Sequence, residues 1–232
     1  MNYLTKSQYE TYSESDRSIL YKLLKKIIIN SRIKFFYYFV KNTNYKNNSS
    51  VIDIGTTPSL NNEHNIILRK TKKNRNITCL SNQDCKILNK KFKNLKKILI
   101  ADGKNTGLKS NSFSIVHSNA TIEHVGSYQN QIAFLKELVR ISKDYVFIQT
   151  PNRFYPIDFH TLIPFIHWLP KKIHRKILKI LNLNFYSFEK NLNLLSKKDL
   201  VNICNKLKVT KYEIIEHKIF FFTSNLILII KK

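Results

Sequence analysis

Cysteine is scarce in this sequence, and its arrangement argues against two kinds of site. The three cysteines, Cys79, Cys85 and Cys204, are an odd number and show no Cys-x-x-Cys spacing. Such a set supports neither a disulfide framework nor a cysteine-based zinc site. We therefore predict no metal site, and we expect a reducing compartment and a cytoplasmic location.

Long apolar runs are also missing. A membrane-spanning helix needs about 20 consecutive, mainly apolar residues. The two candidate runs, residues 27–40 and 219–230, are interrupted by polar or charged side chains, and no N-terminal signal peptide is visible. We expect a soluble protein without a transmembrane segment.

Acidic residues are few, with 15 Asp and Glu against 40 Lys and Arg, for a formal net charge of +25. A charge of this size binds nucleic acid or an anionic membrane surface when it is gathered on one face. Here Lys and Arg occur in every segment. The pattern favours a general compositional excess over a dedicated nucleic-acid surface.

The residues that are abundant support a globular domain. A hydrophobic content of 43% in 232 residues is sufficient for one large domain with appendages. Residues 1–48 form an N-terminal extension and linker, in which the basic, aromatic stretch from Tyr21 to Val40 predicts one or two helices. This stretch either packs over the main domain or lies on a membrane.

One stretch, Val51 to Ser59, organises the rest of the chain. Its β-branched start predicts a buried parallel strand that ends at Asp53 and Gly55. Glycine permits a positive φ or a close approach of the backbone to a ligand. Thr57 and Pro58 suit the first positions of a helix that would follow at once. A glycine turn before a helix N-terminus is typical of nucleotide-binding α/β folds.

Strands and helices alternate after this turn. We predict helices over residues 60–70, 85–95 and 127–142, and further strands over residues 76–80, 97–101, 113–117 and 145–149. This alternation indicates a doubly wound, Rossmann-like parallel sheet with right-handed crossovers. The polar residues of interest all fall at the carboxyl ends of strands, where such sheets hold their ligands.

The alternation breaks after the fifth strand. The aromatic, proline- and histidine-rich segment from Pro156 to Leu183 predicts an inserted cap, which extends to about residue 190. A helix over residues 195–207 follows, and then two strands, residues 211–217 and 220–230, with a connection too short for a parallel pair. The chain is therefore predicted to complete a mostly parallel, seven-stranded sheet with a C-terminal antiparallel hairpin.

These features resemble the class I S-adenosylmethionine-dependent methyltransferases, in their methyltransferase type 11-like, small-molecule branch. The resemblance extends over residues 49–232, which would form the methyltransferase domain. Residues 51–59 resemble the first motif of the family, Asp102-Gly103 together with residues 112–116 resemble a second block, and residues 118–125 resemble the motif at the fourth strand.

The resemblance implies S-adenosylmethionine as the cofactor. Gly55 would let the backbone approach its methionine part, with the next helix N-terminus facing the carboxylate. Asp102 would accept a hydrogen bond from the adenine amino group, and the region of Gly103 would pack on the ring. The positions that the resemblance assigns to cofactor binding are Asp53, Gly55, Thr56, Asn82, Asp84, Asp102, Gly103 and Asn119.

The sequence departs from the family pattern at two points. Ser81-Asn82-Gln83 stands where a carboxylate for the ribose hydroxyls is expected, with Asp84 slightly later, and Thr57 replaces the second glycine of the first motif. Other nucleotide folds fit less well, because no Gly-Lys-Ser/Thr follows Gly55 and no Gly-x-Gly-x-x-Gly is present. The Asn/Asp-Pro-Pro-Tyr motif of nitrogen-methylating branches is also absent, which favours a small-molecule, sugar or lipid-linked acceptor.

Methyl transfer requires alignment of the acceptor and exclusion of water, and a hydroxyl acceptor also benefits from a base. His124 follows the fourth strand and His160 lies in the predicted cap, so both are candidate catalytic residues, although either histidine has an ordinary structural interpretation. Two alternatives stay open at the sequence level: an RNA-directed methyltransferase that uses the positive charge, and an inactive methyltransferase-like scaffold. Peripheral contact with a membrane is also open.

Overall fold

The computed structural model describes residues 19–61 and 64–232. The beginning of the predicted N-terminal extension, residues 1–18, lies outside the described residues, as does the pair 62–63. Side chains are described from residue 26 onward.

The predicted order of elements is confirmed. The helices are α1 (Ile19–Asn42), α2 (Ile66–Lys70), α3 (Tyr128–Ile141), α4 (Lys171–Ile180), α5 (Asn184–Ser187) and α6 (Lys197–Lys206). The strands are β1 (Val51–Ile54), β2 (Ile77–Ser81), β3 (Leu95–Ile100), β4 (Phe113–Asn119), β5 (Ser142–Pro151), β6 (Tyr212–Ile219) and β7 (Phe222–Lys231). Single 3₁₀ turns occur at Lys86–Lys90, Ile122–His124 and Ile166–Trp168.

The strands form one seven-stranded sheet in the order β3-β2-β1-β4-β5-β7-β6. Strands β1 to β5 are parallel, whereas β7 runs antiparallel to both of its neighbours, β5 and β6. The predicted mostly parallel sheet with an antiparallel C-terminal hairpin is therefore confirmed. Because the chain order reverses at β1 and β4, a crevice for ligands is expected at the carboxyl ends of these two strands.

Alternation along the central strands separates two apolar cores, because successive strand residues point to opposite faces of the sheet. Ile52 and Ile54 of β1 belong to the core under α3 and α6. Val51 belongs to the other core, to which Phe35 and Phe39 of α1 contribute. Phe39 is completely buried, so the aromatic face of α1 packs on the sheet.

Two serines begin the well-formed helices of the first core. Ser127 accepts a hydrogen bond from the backbone of Asn130 at the start of α3. Ser196 and Asp199 form a reciprocal capping box at the start of α6. Caps of this kind stabilise a helix by about 1 kcal/mol.

The prediction of a helix directly after Gly55 is wrong. Residues 57–65 are irregular, and α2 begins only at Ile66 and contains five residues. The side chain of Asn65 donates to the carbonyls of Thr57 and Ser59, and such local bonds compete with helix formation. The predicted helix over residues 85–95 is likewise reduced to the 3₁₀ turn Lys86–Lys90.

No helix within residues 19–61 and 64–232 is long and apolar enough to cross a bilayer.

Candidate active site

The topology brings the ends of five parallel strands to one edge of the sheet. Gly55 follows β1, Asn82 follows β2, Asp102 follows β3, Asn119 ends β4 and Asn152 follows β5. The sequence predicted this convergence. The individual side chains, however, differ in how they are engaged.

Asp53 lies within β1, two residues before Gly55. Its carboxylate is hydrogen-bonded to Nδ1 of His117, at 2.7 Å, and both side chains are buried. The two residues are register partners on β1 and β4, and the His117 ring contacts Phe39 of α1 edge-on. The Asp53 carboxylate is therefore already engaged by His117 under α1, and its assignment to cofactor binding stays a prediction.

Gly55 adopts a φ of +90°, a conformation that disfavours other residues. A Cβ at this position would also collide with the side chain of Thr121. Thr121 stands at the start of the 3₁₀ turn after β4, and its hydroxyl donates to the carbonyl of Asn119. The space beside Gly55 is thus filled by Thr121, which lies within the motif at the fourth strand but was not singled out from the sequence.

Two orphaned polar atoms provide a test of cofactor fit. The Thr57 hydroxyl and the Asn119 side-chain oxygen are buried and have no hydrogen-bond partner within the described part of the chain. An unpaired buried polar group costs about 1–3 kcal/mol. A polar ligand at the β1 and β4 ends would satisfy both, so the residues present fit the cofactor. Thr56 differs, because its hydroxyl already donates to the Asp53 carbonyl.

Asp102 is an exposed acceptor at the end of β3. It accepts from the backbone N–H of Lys104 at 2.9 Å and pairs with the Lys104 ammonium at 2.8 Å. Partial burial acts to raise the pKa of Asp102, but the hydrogen bonds and charge of Lys104 outweigh it and lower this pKa. Gly103 packs so closely on Phe134 of α3 that a Cβ would lie 2.7 Å from the ring.

The end of β2 offers two exposed candidates. Asn82 and Asp84 are both open to solvent. Asp84 accepts from the backbone of Lys86 at 2.9 Å, so it begins the 3₁₀ turn that follows. The assignment of a ribose-binding residue between these two stays a prediction.

The two candidate catalytic histidines meet at the other half of the edge. His124 ends the 3₁₀ turn after β4, and His160 lies between β5 and α4. Their Nε2 atoms are 3.2 Å apart. Nδ1 of His124 contacts the carbonyl of Asn191 at 2.6 Å, and Nδ1 of His160 contacts the Asp158 carboxylate at 3.0 Å. The sequence named both histidines, with His160 expected to approach His124 from the cap, and the structure brings them into contact.

Glu123 completes this group and was missed by sequence reasoning. Its side chain is fully buried, with one oxygen accepting from the Thr150 hydroxyl at 2.9 Å. The other oxygen has no hydrogen-bond partner among the described residues and lies 3.9 Å from Nε2 of His124. A buried glutamate directly before His124 is the signal that could have drawn attention to this position.

Electrostatics distinguish the two histidines. Burial lowers the pKa of His124, against the opposing charge of Glu123. Burial also acts to lower the pKa of His160, but the hydrogen bond and charge of Asp158 outweigh it and raise this pKa. The carboxylate of Asp158 is in turn held by the Thr161 hydroxyl at 2.8 Å.

Comparison with known proteins agrees with this architecture. Residues 64–147 match a family model described as a methyltransferase domain. No curated protein matches the chain significantly.

Solved structures share the fold at low sequence identity. A SAM-dependent methyltransferase from Archaeoglobus fulgidus is 15% identical, with a TM-score of 0.60 over 97% of this chain and 100% of the other. Magnesium protoporphyrin IX methyltransferase from Synechocystis is 10% identical, with a TM-score of 0.60 over 97% of this chain and 92% of the other. A putative S-adenosyl-L-methionine-dependent methyltransferase from Methanococcus maripaludis is 16% identical, with a TM-score of 0.54 over 90% of this chain and 89% of the other.

The family-model match covers residues 64–147, and the strand order agrees with the fold of these solved structures. The chain therefore contains a segment that matches a methyltransferase domain, and it has the fold of S-adenosylmethionine-dependent methyltransferases.

Proposed function

We propose that the chain methylates a hydroxyl group of a small-molecule, sugar or lipid-linked acceptor, and that Glu123, His124 and His160, here called the His–Glu cluster, activate that hydroxyl. The observation that carries the proposal is the 3.2 Å approach of the two Nε2 atoms at the carboxyl edge of the sheet. This is the edge at which α/β folds of this kind bind their ligands.

Hydrogen bonding at Nδ1 prepares both imidazoles to act through Nε2. A carbonyl and a carboxylate only accept, so the Nδ1 atoms of His124 and His160 carry their protons. A neutral imidazole has a single N–H, which leaves Nε2 as the basic atom in each ring. In the simplest form of the reaction, one Nε2 takes the proton of the acceptor hydroxyl as the oxygen attacks the methyl group.

The bound cofactor, S-adenosylmethionine, supplies the methyl group, and the electron pair of the broken carbon–sulfur bond stays on its sulfur. Thr57 and Asn119 are the residues whose unpaired buried atoms would hold the polar part of this ligand. Asp102, which follows β3 at the same edge of the sheet, provides an ionised hydrogen-bond acceptor.

The segment from Pro156 to Leu183 is proposed as the cap that faces the acceptor. It carries His160 into the cluster, and Asp158 and Thr161 hold that histidine in place. Tyr155 and Phe159 stack at the start of the segment with ring centroids 5.0 Å apart. Aromatic side chains at this edge would exclude water from the transfer and bind an apolar or sugar-ring acceptor.

Among small-molecule, sugar and lipid-linked acceptors, the exposed apolar side chains of the cap favour a lipid-linked one. In the cap, several large apolar residues are more than a third exposed: Leu162, Phe165, Trp168, Leu169, Ile173, Ile180 and Leu181. Helix α4 adds exposed lysines beside them. A surface of apolar and cationic residues is suited to an anionic membrane.

The tip of the β6–β7 hairpin extends this surface. Pro151 of β5 pairs with Asn225 of β7, so the tip projects past the same sheet edge as the cap. Phe221 is 91% exposed, and Phe220 is 80% exposed with a φ of +55°. A bulky residue at positive φ is strained, and aromatic side chains at such an exposed turn gain most by entering an interface.

Membrane contact is tested by sedimentation with vesicles of phosphatidylcholine and phosphatidylserine. We expect the wild-type chain to bind, and Phe221→Ser to weaken binding about tenfold, in line with the ~1.5–3 kcal/mol of burying one phenylalanine. Ile87→Ser serves as the control, because it removes an exposed apolar side chain from the 3₁₀ turn Lys86–Lys90. Equal binding by both variants would contradict the proposed surface.

The transfer itself is tested in two steps. Calorimetry with S-adenosylhomocysteine should give micromolar binding, weakened about tenfold or more in Asp102→Ala, as expected for a lost hydrogen bond to a charged group. The absence of any binding would support the inactive-scaffold alternative. Labelled cofactor is then offered to polar lysate fractions, lipid extracts and total RNA, and the product is cleaved to identify the methylated atom. Label on nitrogen or carbon would contradict O-methylation.

The RNA-directed alternative is disfavoured by where the basic side chains gather. A cavity of about 580 Å³ is lined by Arg32, Arg69, Lys70, Lys72, Arg75, Lys91 and Lys93. Several of these residues directly precede β2 and β3, so the cavity lies at the amino edge of the sheet, opposite the proposed active site. An RNA substrate would need a basic surface beside the cleft. The exposed lysines of α4 lie there, but they are interspersed with exposed apolar side chains, which suit a lipid surface better than RNA.

A further inference from the structure

The His–Glu cluster brings three metal-ligating groups into one small space. One ligand atom from each of Glu123, His124 and His160 lies within 4.8 Å of the other two. The Nε2 atoms of the histidines are 3.2 Å apart. Donors bonded to one tetrahedral ion at about 2.0–2.1 Å are separated by about 3.3 Å, so the histidine pair already has the required spacing and the carboxylate is within a small side-chain adjustment.

The protonation pattern of the cluster calls for a positive charge at its centre. Both Nδ1 atoms donate outward, to the Asn191 carbonyl and the Asp158 carboxylate. When both rings are neutral, the lone pairs of the two Nε2 atoms face each other. A shared proton would relieve their repulsion, but it would leave the second oxygen of Glu123 buried and without a partner. A cation that binds all three atoms removes both problems.

The surroundings of the cluster match those of metal-binding histidines elsewhere. Such histidines commonly donate their second ring N–H to a carboxylate or a backbone carbonyl, which fixes the tautomer and the ring orientation. His160 has the first kind of partner and His124 has the second. Asp158 is fixed further by Thr161, and the bound oxygen of Glu123 by Thr150.

We propose that Glu123, His124 and His160 bind a divalent first-row transition metal ion, with Zn²⁺ as the expected occupant. Two imidazoles and one carboxylate suit Zn²⁺ or Fe²⁺, whereas Mg²⁺ and Ca²⁺ prefer all-oxygen ligands. Three protein ligands leave a fourth position open, as in catalytic zinc sites. The prediction that the chain has no metal site rested on its cysteines alone, and two histidines and a glutamate distant from them escape that criterion.

The catalytic consequence of the ion rests on the proposed function, although its binding does not. An acceptor hydroxyl at the open position would become more acidic, because a bound cation stabilises the oxyanion. Its proton would pass to water, and the imidazoles would then serve as ligands in place of acting as the base. The cluster would thus select acceptors that present an oxygen to the ion.

Metal binding is measured directly on the full chain. Apo protein is prepared with a chelator, dialysed against Zn²⁺ and analysed for bound metal, and Co²⁺ is used as a visible spectroscopic probe of the site. We expect about one equivalent of Zn²⁺ per chain and a Co²⁺ spectrum typical of four- or five-coordinate nitrogen and oxygen ligation. No binding at micromolar Zn²⁺, or an octahedral all-water Co²⁺ spectrum, would overturn the proposal.

Two pairs of matched variants locate the ion. Glu123→Gln and His160→Asn should each weaken Zn²⁺ binding more than tenfold, and Asp158→Asn should weaken it about 10–100-fold through the orientation of His160. Glu216→Gln, on the surface beside Lys197, and His217→Asn, under α1, should leave it unchanged. Unchanged binding in Glu123→Gln and His160→Asn would place the ion elsewhere and overturn the assignment. Circular dichroism and S-adenosylhomocysteine affinity verify that each variant is folded.

The two proposals fail in distinguishable ways. Stoichiometric Zn²⁺ at the cluster without methylation of any hydroxyl would keep the metal site and refute the proposed function. Hydroxyl methylation by metal-free protein at the full rate would keep the proposed function and refute the catalytic consequence of the ion.

Discussion

Two buried histidine–aspartate pairs lie in different parts of this fold and have different consequences. His117 meets Asp53 at 2.7 Å and His160 meets Asp158 at 3.0 Å, in each case through Nδ1. The His117 ring stacks on Phe147 and meets Phe39 edge-on. The Nε2 atom of His160 instead faces a second imidazole and a buried carboxylate. An oriented histidine becomes chemically useful only where a further polar group converges on its second nitrogen.

The largest expected effect comes from replacing the two imidazoles in parallel. His160→Asn should lower methyl-transfer turnover about 10²–10⁴-fold, the usual contribution of a positioned acid–base group, with S-adenosylhomocysteine affinity retained. His117→Asn should leave the turnover of folded protein within a few-fold of wild type and lower the melting temperature. Turnover and thermal melting on the same preparations decide the matter. Equal losses of turnover in the two variants would remove the distinction between the pairs.

A smaller effect is expected when the buried pair loses its carboxylate. Asp53→Ala leaves the His117 N–H without an acceptor under α1, at a cost of about 1–3 kcal/mol in the free energy of unfolding. Urea denaturation measures this cost. S-adenosylhomocysteine affinity, measured on the same protein, separates the two roles of Asp53: a loss of more than tenfold would restore the direct cofactor contact that the resemblance implied.

The smallest effect concerns His217, a buried histidine that has no carboxylate partner within residues 19–61 and 64–232. Burial, and secondarily the charge of Lys34, lower the pKa of His217 to about 4. Its ring faces Ser31, Phe35 and Tyr38 of α1, and on the strand side the hydroxyl of Ser224 donates to its carbonyl.

Because the pKa of His217 is lower in the folded state, the unfolded chain binds more protons below pH ~6.5. The contribution is fully present above that pH and is lost as the pH falls towards 4. We expect the unfolding free energy of wild type to fall by roughly 1–2 kcal/mol more than that of His217→Gln between pH 7 and pH 5. Urea titrations at the two pH values test this, and identical pH dependence in both proteins would contradict it.

Most of the fold could be predicted because its signals are local. The sequence directly shows the apolar stretches of β1 and β4 and the capping serine of α6. The helix expected after Gly55 failed because Asn65, eight residues from Thr57, ties the loop together through its side chain. Such a bond depends on the folded path of the loop and leaves no periodic pattern.

The candidate site was predicted only in part, for a related reason. Strand ends identify which residues reach the carboxyl edge, and His124 is a candidate on that basis, whereas His160 is a candidate because it lies in the predicted cap. The contact between them depends on how the chain between β5 and α4 folds back, a path that brings Nε2 atoms 36 positions apart to within 3.2 Å. Asp53 shows the converse, since the pleat turns its side chain towards α1 and His117.

The contact between Gly55 and Thr121 links the turn after β1 to the turn after β4. Thr121 fills the space that a side chain at position 55 would need, and the next residues along the chain carry Glu123 and His124. A change at the glycine turn would therefore displace the start of the turn that positions the cluster. A smaller residue at position 121 would remove this collision but not the strain of a side chain at a φ of +90°, so we expect position 55 to stay glycine among descendants of this chain.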